Sequence, residues 1–409
     1  MSNFGGAVVA DFEYEVSAGN LPQPLCMVAY VLDEHLQHVR TIRLWRGEFG
    51  SKPPFDVGDD IMFVAYSAWA EMTCFDVLGW TFPKHIFDLH TAYLSTSNAL
   101  LPHDPDNKRK KQHKRLPDAC RAYGIEGWEN IDKGTMAEDI GNGLWQKYGQ
   151  AAVFDYCEED VRKSAQLLRC QVRDRDVDVP LVLHWSNYSA KAVARIQARG
   201  IPIDMRLWNL VQENKAAVIA ASVRQLDPSQ DTDDPIYTLD GGWQDTRFER
   251  WLPQAGIFSW PRLPTGKLRL KGDAFKLMYH HRGIEELHAL RDSIGFISKA
   301  GMPIGRDGRN RPSLFPFGTF TGRNAHRRSP YNAHAGVRAF IVFPQDSIGA
   351  YLDWRTQEVA VAAALSEDPA LIAAYEAGDC ITSLRWCADS QPIVIGCAGR
   401  RRTPKHASA

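Results

Sequence analysis

Two carboxylates, Asp11 and Glu13, stand two residues apart near the end of GAVVADFEYEV, an apolar run whose alternation reads as a β-strand. Period-two geometry points both side chains to one face, where like charges repel. Divalent cations relieve such repulsion, because Mg2+ and Mn2+ prefer hard oxygen donors. A second pair lies in VFDYCEEDV, where Tyr156 and Asp160 are four apart and share one face of a helix. A carboxylate beside a phenol pairs a metal ligand with a group that can orient water. Between the two pairs, FVAYSAWAEMTCF reads as a strand ending near Tyr66 and then a helix with Glu71 in its first turns. Glu71 is therefore a further candidate ligand.

A different chemistry is concentrated later in the chain. From residue 299 to 345 there are eight basic residues, Lys299 and Arg306, Arg309, Arg311, Arg323, Arg327, Arg328 and Arg338, against one acid, Asp307, a local net charge of +7. Glycines in DGRNR and FTGRNAHRR allow close backbone approach, and arginines bind phosphate bidentately, so the segment reads as a polyphosphate footprint. Clustering of this kind has to supply any affinity for polyanions, because 48 basic and 49 acidic residues leave the whole chain at a formal −1. The run NKRKKQHKR, 107–115, reads as a solvated loop. GAYLDWRTQEVAV then reads as a strand ending at Asp353 and a helix from about Thr356 that carries Glu358. An acid at a strand end beside a helix start suits a metal.

The ordered set, D-x-E on the first strand, an acid after a middle strand and Y-x-x-x-D on a late helix, resembles the three motifs of the DEDD family of 3′–5′ exonucleases in its tyrosine variety, over roughly residues 4–170. The resemblance implies that Asp11, Glu13 and Asp160 hold two divalent metal ions, Mg2+ or Mn2+, and that Tyr156 orients the attacking water. The second motif of that family reads N-x-x-x-D, whereas this chain has Ser67 and Glu71 in those places. A glutamate reaches one methylene farther and can still ligate; the missing asparagine removes a contact to the substrate terminus. Asp88, in HIFDLH, stands where another acid follows the next strand in that family, and a structural role is expected of it.

The run from Asp353 resembles motif A of family A DNA polymerases, D-Y-S-Q-I-E-L-R, whose acids match Asp353 and Glu358. TGR, from Thr321 to Arg323, and VRAFIVFP around Arg338 match what such polymerases carry ahead of motif A. The resemblance, over roughly residues 4–380, is to a DNA polymerase I-like protein acting in replication or repair in the cytoplasm of a bacterium or phage-infected host. It implies that Asp353 binds metal, that Glu358 lines the nucleotide's sugar pocket, and that Thr321, Arg323, Arg327, Arg328 and Arg338 contact DNA. DNA is then the partner as a single-stranded 3′ end and as primer–template duplex. Such polymerases continue into a fingers helix with K-x-x-x-x-x-x-Y-G and a palm hairpin with H-D-E, but after Glu358 this chain has one lysine, Lys405, and neither Y-G nor H-D. The polymerase module therefore reads as truncated after motif A and unable to extend primers. A non-catalytic nucleic-acid-binding remnant and a polymerase completed by another chain are the rival readings.

The elements that must hold these residues follow from periodicity. The first 90 residues read as strands, GAVVADFEYEV, LCMVAYVL, HVRTIRLW and IMFVAY, with helices over about 68–78 and 89–100 and an amphipathic closing helix over 151–169. Helices are expected from His184 to a stop at Gly200 and from a cap at Asp204 through Val223, then loops over 227–272, and strands again at RAFIVF and GAYLDW. The expected fold is an α/β ribonuclease H-like exonuclease domain over 1–175, a mainly helical thumb-like region over 183–300, the beginning of an α+β palm over 301–380, and an aberrant tail over 381–409, with a boundary near 174–182. Length and 44% hydrophobic composition exclude a single small module and wholesale disorder. The eight cysteines form no C-x-x-C pair and are expected as reduced thiols, and no apolar run approaches the ~18 residues of a spanning helix.

Overall fold

The structure is a computed structural model and describes residues 4–100, 115–127, 133–298, 302–319, 322–327, 329–330, 335–350, 352, 354, 356–377, 384–385 and 393–394. The chain divides into two units, Met1–Pro344 and Gln345–Ala409. The first unit begins with β1 (Gly6–Glu15), β2 (Gln23–Asp33), β3 (His38–Trp45), β4 (Ile61–Ala65), α1 (Trp69–Val77), β5 (His85–Asp88), α2 (Leu89–Leu100), α3 (Leu116–Ala122), α4 (Lys133–Gly141), α5 (Gln150–Gln171) and α6 (Val179–Arg199). Its sheet has the order β3-β2-β1-β4-β5, antiparallel across β3-β2-β1 and parallel from β1 through β4 to β5.

Alternation along β1 builds two cores, one on each face. Ala7 and Val9 pack with Val153, Tyr156, Cys157 and Val161 of α5, which recur at helical spacing. Val8, Ala10 and Phe12 pack with Met72 and Phe75 of α1 and with Ala190 and Ala194 of α6. The β1–β4 pairing ends at Val9–Val64, while the β1–β2 pairing runs on through Asp11–Val28 and Glu13–Cys26. The two acids thus sit where β1 has outrun β4, with an irregularity in register between Glu13 and Tyr14.

α6 packs on both cores of the sheet, beyond the boundary expected at 174–182. Its Val182 is buried in the first core, its Ala190 and Ala194 in the second, and its Ser186 Oγ accepts the backbone N–H of Asp88 at 3.1 Å. The sheet-bearing core therefore continues to the end of α6 at Arg199, where Gly200 stops the helix at φ +63°.

Beyond it come β6 (Ile201–Pro202), α7 (Met205–Glu213), α8 (Lys215–Leu226), α9 (Asp245–Gln254), α10 (Gly272–Leu277), α11 (Ile284–Ser298), β7 (Arg309–Asn310), β8 (Ser313–Phe315) and β9 (Ala325–Arg327). Asp204 caps α7 as expected, its Oδ1 accepting the N–H of Leu207 at 2.9 Å, but the helix ends at Asn214 and α8 begins afresh. The stretch expected to be all loop, 227–272, contains α9, because Phe248, Trp251 and Leu252 at i, i+3 and i+4 bury one face with Trp260, Phe275 and Leu287 in a separate core. RAFIVF is not a strand: residues Ala335–Phe340 form a 3-10 helix, and only Ile341 bridges to Ile203. A strand needs a neighbouring edge for its ladder, and the short 201–203 segment offers a single rung. The second unit holds α12 (Gln357–Ser366), α13 (Pro369–Ala377) and the pair β10 (Leu384–Arg385) and β11 (Ile393–Val394). The described residues of GAYLDW form no strand, and Asp353 lies outside the described residues. No described helix is long and apolar enough to cross a membrane.

The corner between β4 and α1 is fixed from β5. Ser67 takes the left-handed φ of +65°, a conformation in which asparagine is far commoner than serine. Asp88, 1% exposed, holds it: Oδ1 accepts the N–H groups of Ser67 (2.9 Å) and His90 (3.0 Å), and Oδ2 accepts the Thr91 hydroxyl (3.1 Å). Asp88 thus has the structural role expected of it. Removing that carboxylate strands three donors, so Asp88→Ala should lower stability by about 2–4 kcal/mol, read as a shift in the urea midpoint. A midpoint unchanged by the substitution would show that the corner holds itself.

Candidate active site

Asp11 and Glu13 are both half-buried. The strand ladder to β2 fixes their backbones, and α5 supplies the opposite wall. The Cys157 thiol lies against Asp11, with Sγ 3.4 Å from its carbonyl oxygen and 3.5 Å from Oδ2. One donor atom from each of Asp11, Glu13 and Cys157 lies within 4.8 Å of the others. The preceding residue, Tyr156, is 7% exposed, and its hydroxyl is held far above the ordinary phenol range by burial and then by the charges of Glu13, Asp160 and Asp11. Tyr156 is therefore a neutral hydrogen-bond donor at any working pH. The outer face of α5 is pinned separately, with Glu158 accepting the Tyr30 hydroxyl at 2.9 Å and pairing with Arg43.

Glu71 enters from the other side. It lies in the first turn of α1, is 3% exposed, and its Oε2 has no hydrogen-bond partner among the described residues. Burial, and after it the charge of Asp11, holds its carboxyl well above the ordinary carboxylate range. Two further groups share this field: Tyr14 and Cys74 are both pushed up, chiefly by burial, with Glu71, Glu13 and Asp11 all contributing. An orphaned buried carboxylate oxygen beside two more carboxylates fits a divalent cation, whose charge would offset the repulsion and supply the absent partner.

The structure brings Asp11 and Glu13 together with Cys157, which sequence reasoning passed over; Glu71 lies in the field of Asp11, Tyr156 lies in the field of Glu13, Asp160 and Asp11, and neither Glu71 nor Asp160 is among the donors within 4.8 Å of one another. Cys157 stands inside the Y-C-E-E-D run, and a donor between two site residues was the available signal. Beside Tyr14 a cleft of about 300 Å³ opens between Trp69, Thr73, Gln197 and Arg311. The basic segment divides in two. Arg311, its side chain 10% exposed, pairs with Asp307 and donates to the carbonyls of Gly19 (2.9 Å) and Ala198, and Arg309 donates to the carbonyl of Arg199, so both tie the fold together. Arg323, Arg327 and Arg338 are exposed, with the Arg327 guanidinium 5.7 Å from the Phe315 ring centroid. Thr321, Arg328 and most of 107–115 lie outside the described residues; Glu358 is exposed in the first turn of α12.

The elevated Glu71 carboxyl has a consequence for stability. Folding takes up a proton there between the ordinary value of 4.5 and the elevated one, so the contribution is intact below 4.5 and is lost as pH rises through the elevated value. Metal-free protein should therefore lose stability between about pH 5 and pH 8, and Glu71→Gln should lose less over the same range. Urea midpoints in chelator at both values measure this; identical slopes for the two proteins would remove Glu71 from the buried cluster.

No protein-family model and no curated protein matches the chain. Among solved structures, the POL domain of Pol1 from M. smegmatis, in complex with DNA primer-template and dNTP, superposes with a TM-score of 0.52 at 16% identity. The match covers 93% of this chain and 62% of that one, so this chain spans less than two thirds of that structure. At this identity the likeness is one of fold: the chain is folded like the POL domain of a DNA polymerase.

Proposed function

We propose that this chain carries a metal-dependent 3′–5′ exonuclease and belongs to a DNA polymerase I-like protein of family A acting on DNA in replication or repair, in a bacterial or phage-infected cytoplasm. The observation that supports the reading is the pair Asp11 and Glu13 where β1 outruns β4, with the charge of Asp11 acting on buried Glu71 and those of Glu13, Asp160 and Asp11 acting on Tyr156. A five-stranded sheet with an antiparallel meander followed by two parallel strands supports the ribonuclease H-like assignment of residues 1–175, extended here to the end of α6. The region 183–300 is the thumb-like part, and 301–380 begins the palm.

Asp11, Glu13 and Asp160 would hold two divalent ions, Mg2+ or Mn2+, with Glu71 as the fourth carboxylate. Bound ions supply the charge that activates water and stabilises the leaving oxygen in phosphodiester hydrolysis. The remaining work falls to the chain. Tyr156 stays protonated and donates a hydrogen bond that orients the water, and its burial against Cys157 and Val153 fixes the direction of that bond. Asp88 holds the Ser67 corner, which sets the start of α1 and with it the aim of Glu71. Thr321, Arg323, Arg327, Arg328 and Arg338 are assigned to DNA phosphates, Asp353 to a metal of the palm, and Glu358 to the sugar of an incoming nucleotide.

In a gel assay on a 5′-labelled single strand, Asp11→Ala should reduce Mg2+-dependent digestion by at least about 10²-fold while leaving strand binding in place. Tyr156→Phe should lose less, because a phenol carries no metal; undiminished digestion by Asp11→Ala would end the assignment. Replacing Arg323 and Arg327 by alanine should weaken duplex binding uniformly across sequences and make the log–log salt dependence shallower by about 0.9 per lost phosphate contact. An unchanged slope would remove these two from the interface.

A further inference from the structure

The outward face of α6 carries a pattern that the acidic site does not use. Along Val179–Arg199 the side chains His184, Tyr188, Lys191, Arg195 and Arg199 recur three or four residues apart. At 3.6 residues per turn these five fall within about 80° of one another and extend for about 22 Å along the helix axis. The opposite face holds Val182, Ser186, Ala190, Val193 and Ala194, all buried, which turns the stripe away from the cores. His184, Tyr188, Arg195 and Arg199 are exposed, Tyr188 at 68%, and the helix contains no aspartate or glutamate.

The stripe has two halves. At its N-terminal end the His184 and Tyr188 rings lie together, their centroids 5.0 Å apart and their planes tilted by 59°. Toward its C-terminal end, cations follow one another. The Lys191 ammonium donates to the Lys84 carbonyl at 3.2 Å, and burial, then the charge of Arg195, hold it below the ordinary lysine range. The Arg195 guanidinium sits 5.1 Å from the Phe82 ring centroid, and neither Arg195 nor Arg199 forms an ion pair among the described residues. A groove of about 960 Å³ then runs past Arg199 to Arg309, whose guanidinium donates to the Arg199 carbonyl at 3.0 Å. The acids nearby are Asp59, paired with Lys84, and Asp76 and Asp307 in the groove wall, of which Asp307 is paired with Arg311.

Cations in line with open rings beside them complement a polyanion whose bases are unpaired. Guanidinium groups take phosphate bidentately, and a base stacks on an exposed ring when no duplex already encloses it. A duplex or an acidic protein would use the cations and leave the rings idle. We propose that the outer face of α6 is a binding track for single-stranded nucleic acid, with phosphates on Lys191, Arg195, Arg199 and Arg309 and a base on Tyr188 and His184. The track uses none of the residues of the acidic cluster and none of the arginines at 323–338, and it does not rest on the nuclease reading.

The test is fluorescence anisotropy of a 5′-labelled thymidine oligonucleotide with the full-length protein, in chelator so that the strand stays intact. Arg195→Ala combined with Arg199→Ala should make the log–log salt dependence shallower by about 1.4, at about 0.7 per phosphate contact on a single strand. Tyr188→Ala removes a ring and no charge, so it should weaken binding at least about fivefold with the salt slope unchanged. Tyr188→Phe keeps the ring and should bind as the wild type does. All three positions are exposed, and urea midpoints equal to the wild type's show that the variants are folded. On a duplex of the same length Tyr188→Ala should change nothing. An unchanged slope in the arginine variant, undiminished strand binding by Tyr188→Ala, or an equal loss on strand and duplex would overturn the proposal. A protein that binds in this way but digests nothing in Mg2+ keeps the track and loses the nuclease, and digestion without these losses does the reverse.

Discussion

Like-charge repulsion in a half-buried corner is the constraint around which the first domain is arranged. Two ionised carboxylates within 4.8 Å repel by about 3–4 kcal/mol at an effective dielectric near 20, and Glu71 and Asp160 add to the same field. Side chains on a loop would turn away. Asp11 and Glu13 cannot, because their backbones are locked into the ladder opposite Val28 and Cys26 while apolar cores hold both faces of the strand. The Ser67 corner plays the same part for Glu71, since the N–H that Asp88 accepts fixes the origin of α1. The fold thus holds acidic groups close together, and the proposed cation site rests on that arrangement.

Much of this was legible because it is local. Alternating apolar residues gave the strands, D-x-E gave two acids on one face, and Y-x-x-x-D gave a phenol and an acid one helical turn apart. What escaped depends on contacts across the chain. That α6 belongs to the sheet domain is decided by Ala190 and Ala194, small residues without a strong apolar signature of their own. That α9 exists within a stretch rich in glycine, proline and tryptophan is decided by a core shared with α10 and α11. The place of Cys157 in the site could be seen only once α5 lay on β1.

The arginines teach the same lesson with the opposite sign. Counted along the sequence, the segment 299–345 carries a strong positive charge, but Arg311 is neutralised by an acid four residues away and anchored to the Gly19 carbonyl on the loop after β1. Charge density in sequence overstates charge offered to a ligand whenever part of it is spent on cohesion. Arg323, Arg327 and Arg338 are among the basic residues of the segment that are exposed.

The seam that Arg311 closes is discontinuous in sequence. Residues 303–317 return to the sheet domain after a helical excursion with a core of its own, and they seal it through Gln197 to the Pro312 carbonyl, Asn20 to the Arg306 N–H, Trp69 against Phe315 and Trp185 against Phe317. Gly19 is obligatory there, since a Cβ would sit 2.5 Å from the Gly305 nitrogen. During synthesis the sheet emerges first and waits for roughly a hundred further residues, about 5–20 s of translation, before this strip arrives. For that interval Trp69, Trp185 and the flank of α6 face solvent on the ribosome. The sheet domain therefore completes its surface only after the helical excursion has been made.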